Sequence, residues 1–208
     1  AIDVGNTHTL AGVFQGEELL HEWRISTERG ATPDELAASH DQILRLRGGG
    51  LDGLDAMVVS SVVPALTAGY QELGARYMDR PALVVGPGIK TGMPVDIDNP
   101  RELGADRLVN SVAAFHQYGG PCIVVDFGTA TTFDAVSADG RYLGGVIAPG
   151  VETSMEALTS RAARLAGVEL KPPARVIGRS RRSAIFAGRD RPASVAALYG
   201  RHSKNTSD

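Results

Sequence analysis

The sequence predicts an α/β protein with a mixed sheet whose opening strand pattern occurs twice. Three observations carry this. Short apolar runs form a hairpin group at the start of the chain and then alternate with helical stretches, the order that builds a mixed sheet with flanking helices. Asp3-Val4-Gly5-Asn6-Thr7 recurs in edited form as Asp126-Phe127-Gly128-Thr129-Ala130, each copy closing an apolar run, Ala1-Ile2 and Ile123-Val124-Val125. From the second copy onward the order strand, Asp-x-Gly turn, hairpin begins again, which reads as a duplication.

The elements follow in order. Ala1–Gly5, Leu10–Phe14 and Leu19–Ile25 read as strands, the last two joined through Gly16-Glu17-Glu18. Thr32 and Pro33 make an N-cap and first helical residue. Leu36, Ile43, Leu44 and Leu46 then recur at helical spacing until Gly48-Gly49-Gly50 stops the helix. Ala56–Val63 is a β-branched apolar run and reads as a buried strand. Pro64 opens a helix carrying Leu66, Tyr70, Leu73 and Tyr77, and Ala82–Val85 is a further strand. Residues 86–100, rich in Gly, Pro and Asp, read as a loop or linker. Asn99-Pro100 repeats the helix-start signal, so a helix is expected from there to about Tyr118, with Leu108, Val112 and Phe115 as its apolar stripe. Strands are expected at Cys122–Asp126, around Thr132–Val136 and at Tyr142–Ile147, with Asp139-Gly140 as the turn. Pro149-Gly150 precedes a helix with Met155, Leu158, Ala162 and Leu165.

The 208 residues fit one large domain or two small ones, and 43% apolar content is enough for a packed core. No segment is long and charge-poor enough to span a membrane. A net charge of -3 gives no reason to expect a nucleic-acid partner. The single cysteine, Cys122, excludes an intramolecular disulfide, and it reads as a buried small hydrophobe at a strand start. No basic start precedes an apolar run, so a cytoplasmic protein is expected. The chain starts inside its first strand, so a few native residues, including the initiator Met, are expected to precede Ala1.

An acidic residue at a strand end, a Gly two residues on, and then hydroxyl or amide side chains suit a phosphate-handling turn. The Gly permits a sharp turn and close ligand approach, and the N–H and O–H groups that follow can donate to phosphate oxygens. A carboxylate facing phosphate implies a cation between them. Either copy alone is better explained by a hairpin turn bonded to its own backbone. Two copies in matching strand patterns suggest two half-sites facing one nucleotide.

Two further stretches matter. Gly104-Ala105-Asp106-Arg107 falls in the first turns of the helix expected after Pro100, where Gly104 costs roughly 1 kcal/mol relative to Ala. A Gly there suggests close approach by a ligand or another chain. Asp106 and Arg107 project about 100° apart on a helix and could address different groups of one ligand. The bland alternative is a solvated charged face. Gly144–Gly150 ends a strand and enters a helix, and its glycines would let a base or sugar lie against the backbone; taken alone, an ordinary strand-to-helix connection explains it better. The five histidines show no ligand spacing for zinc, and neither Gly-x-Gly-x-x-Gly, a Walker-type Gly-Lys-Thr nor Gly-x-Ser-x-Gly is present.

With Asp3–Thr7, Asn99-Pro100 with Gly104–Arg107, Asp126–Thr131 and Gly144–Gly150 in this order, the chain resembles the type III pantothenate kinases of the acetate kinase/sugar kinase/Hsp70/actin superfamily. The similarity runs from Ala1 to about Ser180. It implies two ribonuclease H-like lobes with nucleotide between them: residues 1–118 as the first lobe with linker and acceptor-site helix, and 119–180 as the second. It implies phosphorylation of pantothenate by ATP, with Mg²⁺, a monovalent cation (K⁺ or NH₄⁺) and a homodimer. By motif matching, Asp3 would hold Mg²⁺ through water. Gly5, Asn6, Thr7, Gly128 and Thr129 would contact ATP phosphates, and Asp126 the monovalent ion. Gly104, Ala105, Asp106 and Arg107 would hold pantothenate, with Asp106 as general base on its primary hydroxyl. An ordinary aspartate, with a pKa near ~3.9, is a weak base toward an alcohol. In a loose phosphoryl-transfer transition state, orienting the hydroxyl is most of the task. Arg107 could pair with the substrate carboxylate or with the transferred phosphoryl group.

After Ile177-Gly178-Arg179-Ser180 the family pattern is lost. Residues 181–208 carry a net +4 and read as a divergent basic tail, expected to leave the second lobe incomplete at its C-terminus through truncation or a frame change. Two other functions fit the same turns: a non-catalytic regulator resembling the Bvg accessory factors, and a nucleotide phosphohydrolase. A binding-only protein has no chemical need for Asp3, Asp106 and Asp126 together.

Overall fold

In the computed structural model, β1 (Ile2–Val4), β2 (His8–Gln15) and β3 (Glu18–Ser26) form an antiparallel meander. β4 (Val58–Ser61) and β5 (Leu83–Val85) continue the sheet in parallel from the other side of β1, giving the order β3-β2-β1-β4-β5. The structure describes residues 1–86 and 88–161. The chain divides into two units, Ala1–Val151 and Glu152–Asp208.

Helix α1 (Pro33–Leu46) starts where the sequence predicts. Glu35 N donates to Thr32 Oγ1 at 3.3 Å, and Thr32 N donates to Glu35 Oε2 at 2.8 Å, a reciprocal capping box. Its buried stripe is Leu36, Ala37, His40 and Leu44, whereas Leu46, expected on that stripe, is 82% exposed. His40 enters the core because both ring nitrogens are satisfied. Trp23 Nε1 donates to Nδ1 at 3.1 Å, and Nε2 lies 2.9 Å from the Tyr70 hydroxyl. An indole N–H can only donate, so the His40 proton sits on Nε2. In α2 (Pro64–Tyr77), Leu66, Tyr70 and Leu73 are buried, each leucine contributing roughly 1.5–3 kcal/mol. Tyr77 ends at the surface, donating to Asp34 Oδ1 at 2.8 Å.

The second sheet repeats the meander: β6 (Cys122–Phe127), β7 (Ala130–Val136) and β8 (Tyr142–Pro149), all antiparallel in the order β6-β7-β8. Its core gathers Val136, Tyr142, Met93 and Leu103 with Leu108, Val112 and Phe115 of α3 (Ala105–Tyr118). Cys122 lies at the edge of this cluster and is half-buried, not fully buried as expected. Helix α3 packs on β6 and β7 and also touches β4, so it links the two sheets. Two related meanders with flanking helices give the duplicated α/β architecture of two ribonuclease H-like lobes.

The start of α3 differs from expectation. Asn99-Pro100 opens a 3-10 turn, Pro100–Glu102, and Leu103 is extended. Gly104 is the N-cap of α3 with φ -61° and ψ 142°, so it carries no helix-interior cost. Helix α4 (Val151–Arg161) follows β8; Met155 is buried and Leu158 is 41% exposed. Ala162, Leu165, the tail at 181–208 and the expected incomplete end of the second lobe lie outside the described residues. Among the described residues, no helix is long and apolar enough to cross a membrane.

Candidate active site

The first turn is built on the end of β1 and tied to the segment after β3. Gly5 N donates to His8 O at 3.0 Å. Thr27 Oγ1 donates to Gly5 O at 2.8 Å, and Thr27 N donates to Thr7 O at 2.9 Å. Asn6 Oδ1 accepts from Arg29 Nη2 at 3.0 Å. The backbone conformation is thus set by the protein, leaving the turn's outer face open.

The second turn is fixed differently. Gly128 N donates to Ala130 O at 2.9 Å, and Gly150 N donates to Thr129 O at 2.9 Å. A Cβ on Gly150 would stand 2.5 Å from Thr129 O and closer still to Gly128 O. Gly150 therefore lets the entry to α4 lie directly against the turn. The two turns face each other across the sheets, with Thr7 Oγ1 and Thr129 Oγ1 3.0 Å apart.

Asp3 and Asp126, far apart in sequence, both feel the charge of Asp106, and Asp3 also feels that of Asp126. Asp3 keeps solvent-accessible surface, yet the atoms packed around it strip enough water to push its pKa up. Asp106 and Asp126 add to that rise, while nearby Ser60 works against it. Ser60 lies opposite Asp3 in the parallel β1–β4 register, but its buried hydroxyl has no partner in normal hydrogen-bond geometry, so its effect on Asp3 is that of a nearby dipole. Asp126 is raised by desolvation first, then by Asp106 and Asp134. A site that concentrates negative charge in this way suits a cation. Among the described residues no three His, Cys, Asp or Glu side chains stand close enough to form a metal cage. The donor set fits an ion such as Mg²⁺, which keeps several waters and takes one or two carboxylates plus substrate phosphates.

Gly104–Arg107 form the N-terminal cap and first turn of α3. Arg107 N donates to Asp106 Oδ1 at 2.8 Å, and a Cβ on Gly104 would crowd that same oxygen. The Arg107 side chain is not on a solvated face. It is 15% exposed, with Nε 2.8 Å and Nη2 2.5 Å from Asp134 Oδ1. Burial works against the Arg107 charge, and Asp134 with smaller help from Tyr142 and Asp106 outweighs it, leaving the guanidinium pKa raised. Asp134, 1% exposed on β7, also accepts from the Tyr142 hydroxyl at 2.6 Å and from Thr132 Oγ1 at 3.3 Å. Desolvation, then the bond to Asp134, raises the Tyr142 pKa.

Sequence reasoning missed Asp134, Tyr142 and Arg29. The only local signal for Asp134 was a second polar residue, Thr132, two positions away on the same strand face. Gly145, read as a surface for a base or sugar, instead backs this cluster. A Cβ there would stand 2.5 Å from Arg107 Nη2 and 2.7 Å from Asp134 Oδ1.

Paired meanders with facing Asp-x-Gly turns define a member of the acetate kinase/sugar kinase/Hsp70/actin superfamily. The chain belongs to the type III pantothenate kinase family, whose model matches residues 1–191, past the Ser180 at which the motif resemblance ends. It is 53% identical over 192 residues to the type III pantothenate kinase of Streptomyces avermitilis, an alignment covering 90% of this chain and 72% of that one. With the Geobacter sulfurreducens type III pantothenate kinase it shares 49% identity over 187 residues, covering 90% and 73%. A solved Campylobacter jejuni structure, described as a candidate Baf family transcriptional activator, superposes with a TM-score of 0.54 at 16% identity, covering 95% of this chain and 76% of that one. At that identity the likeness shows the fold alone.

Proposed function

We propose that this chain is a small-molecule kinase that transfers the γ-phosphoryl group of ATP to pantothenate, giving 4′-phosphopantothenate in the first step of coenzyme A biosynthesis. The observation that supports it best is the convergence of Asp3, Asp126 and the two facing turns on the N-terminus of α3, which carries Asp106. Family membership supplies the acceptor.

In this reading the nucleotide phosphates lie against Gly5, Asn6, Thr7, Gly128 and Thr129. Asp3 holds a divalent ion through water, and that ion, when bound, neutralises phosphate charge. Asp126 takes the monovalent cation, potassium or ammonium. Gly104, Ala105 and Arg107 hold pantothenate, and Asp106 faces its primary hydroxyl. The hydroxyl oxygen bonds to the γ-phosphorus as the bond to the bridging oxygen of ADP breaks. The hydroxyl proton passes to the Asp106 carboxylate. Because the transition state is loose, the proton leaves late, and Asp106 acts mainly by orienting the oxygen. The lobes are assigned to residues 1–118 and 119–180, in a cytoplasmic homodimer with no nucleic-acid or membrane partner.

ADP release measured with and without pantothenate tests this. Release that depends on pantothenate is expected. Release indifferent to it would point to a phosphohydrolase and sink the kinase assignment. Nucleotide binding with no release under either condition would point to a regulator.

A further inference from the structure

Asp134 is an ionisable side chain inside the core of the second sheet. Its Oδ1 serves Arg107 and Tyr142, and its Oδ2 accepts from Thr132. Burying an ion pair rarely improves stability over a well-packed apolar pair of the same size. Packing α3 on β7 therefore gives no reason for this charge. Its placement does. Arg107 is gripped at both ends: its side chain by Asp134, while its backbone N–H holds Asp106 Oδ1 at 2.8 Å. A second observation points the same way. A Cβ on Gly145 of β8 would meet the backbone oxygen of Phe133 first and also Arg107 Nη2 and Asp134 Oδ1, so β8 lies directly against the pair and leaves it no room to move.

We propose that Asp134 is a positioning residue for acceptor phosphorylation, anchoring Arg107 and through it the orientation of the Asp106 carboxylate at the N-terminus of α3. It touches no reacting atom. Its charge turns Arg107 into a fixed strut between β7 and α3, and the main chain at Arg107 carries that constraint to Asp106 one residue away. Arg107 Nε and the buried Nη2 both face Asp134, so any contact Arg107 makes with pantothenate comes through Nη1. The proposal rests on the kinase reading above.

Three variants test it: Asp134→Asn, which keeps shape and loses charge; Arg107→Gln; and Tyr142→Phe, which removes a different bond to the same carboxylate. In Asp134→Asn, kcat/KM for pantothenate should fall by ~30-fold or more while the Kd of an ATP analogue stays within ~3-fold, because the loss is confined to the acceptor side. Tyr142→Phe should lower Tm yet keep kcat/KM within ~3-fold, separating packing from positioning. Adding Asp134→Asn to Arg107→Gln should cost little more than Arg107→Gln alone, since both break one unit. Hydrogen exchange at the Asp106 and Arg107 amides should quicken in Asp134→Asn and not in Tyr142→Phe, a readout independent of turnover. Unchanged exchange with unchanged kcat/KM in Asp134→Asn, or equal losses of kcat/KM in Asp134→Asn and Tyr142→Phe, would overturn the proposal. A wild type that releases no pantothenate-dependent ADP would instead overturn the kinase reading, and the exchange comparison would still decide the anchoring.

Discussion

Gly150→Ala is the sharpest steric probe of the phosphate turns. The new Cβ would stand 2.5 Å from Thr129 O and closer to Gly128 O, both backbone atoms that cannot rotate away. Restoring an ordinary contact of 3.4 Å asks the turn to move by about 1 Å, and the bond from Gly150 N to Thr129 O must stretch with it. Overpacking of this kind costs typically ~1–3 kcal/mol. The functional loss should exceed what stability alone explains. Thr129 Oγ1 stands 3.0 Å from Thr7 Oγ1, so a 1 Å shift separates the two half-sites. A misplacement of ~1 Å near reacting groups can cost about 10²-fold in rate. The assay is turnover at saturating pantothenate together with ATP-analogue titration, with Tm as the folding check. Near-normal nucleotide affinity and turnover in a folded Gly150→Ala would refute the claim that the second turn is held in place to meet the first.

Two other outcomes follow from the titrating groups. His40 is held neutral by burial, its pKa lowered from 6.5 to about 4. Its contribution to stability is complete above pH 6.5 and is lost as pH falls to about 4, because only the unfolded chain takes up the proton. The full loss is about 3 kcal/mol, and His40→Gln should flatten that part of the urea midpoint against pH. Asp3→Asn should raise Tm while abolishing turnover, because it removes a desolvated carboxylate repelled by Asp106 and Asp126. A lowered Tm would show that Asp3 is a structural partner instead.

The parts of the site legible in the sequence were those whose chemistry is local. Asp-x-Gly turns, the Thr32-Pro33 helix start and the Asp139-Gly140 turn each act within a few residues, and each occurs where expected. The start of α3 was misplaced because Asn99-Pro100 serves a 3-10 turn equally well; extended Leu103 then breaks the path before Gly104 caps the true helix. Asp134 was invisible because its partner Arg107 lies 27 residues away on another element. Arg29, 23 residues from Asn6, was hidden for the same reason. His40 carries no apolar signal, and only Trp23 and Tyr70, from two other elements, make it a core residue.

The central claim is that the two turns and the α3 N-terminus form one phosphotransfer site with Asp106 at the acceptor. Mass detection of 4′-phosphopantothenate formed from ATP and pantothenate, by the wild type and by Asp106→Asn side by side, tests it most directly. The account predicts product from the wild type, loss of product on the order of 10²-fold or more in Asp106→Asn, and equal ATP-analogue affinity in both. Comparable product from the two proteins would contradict it.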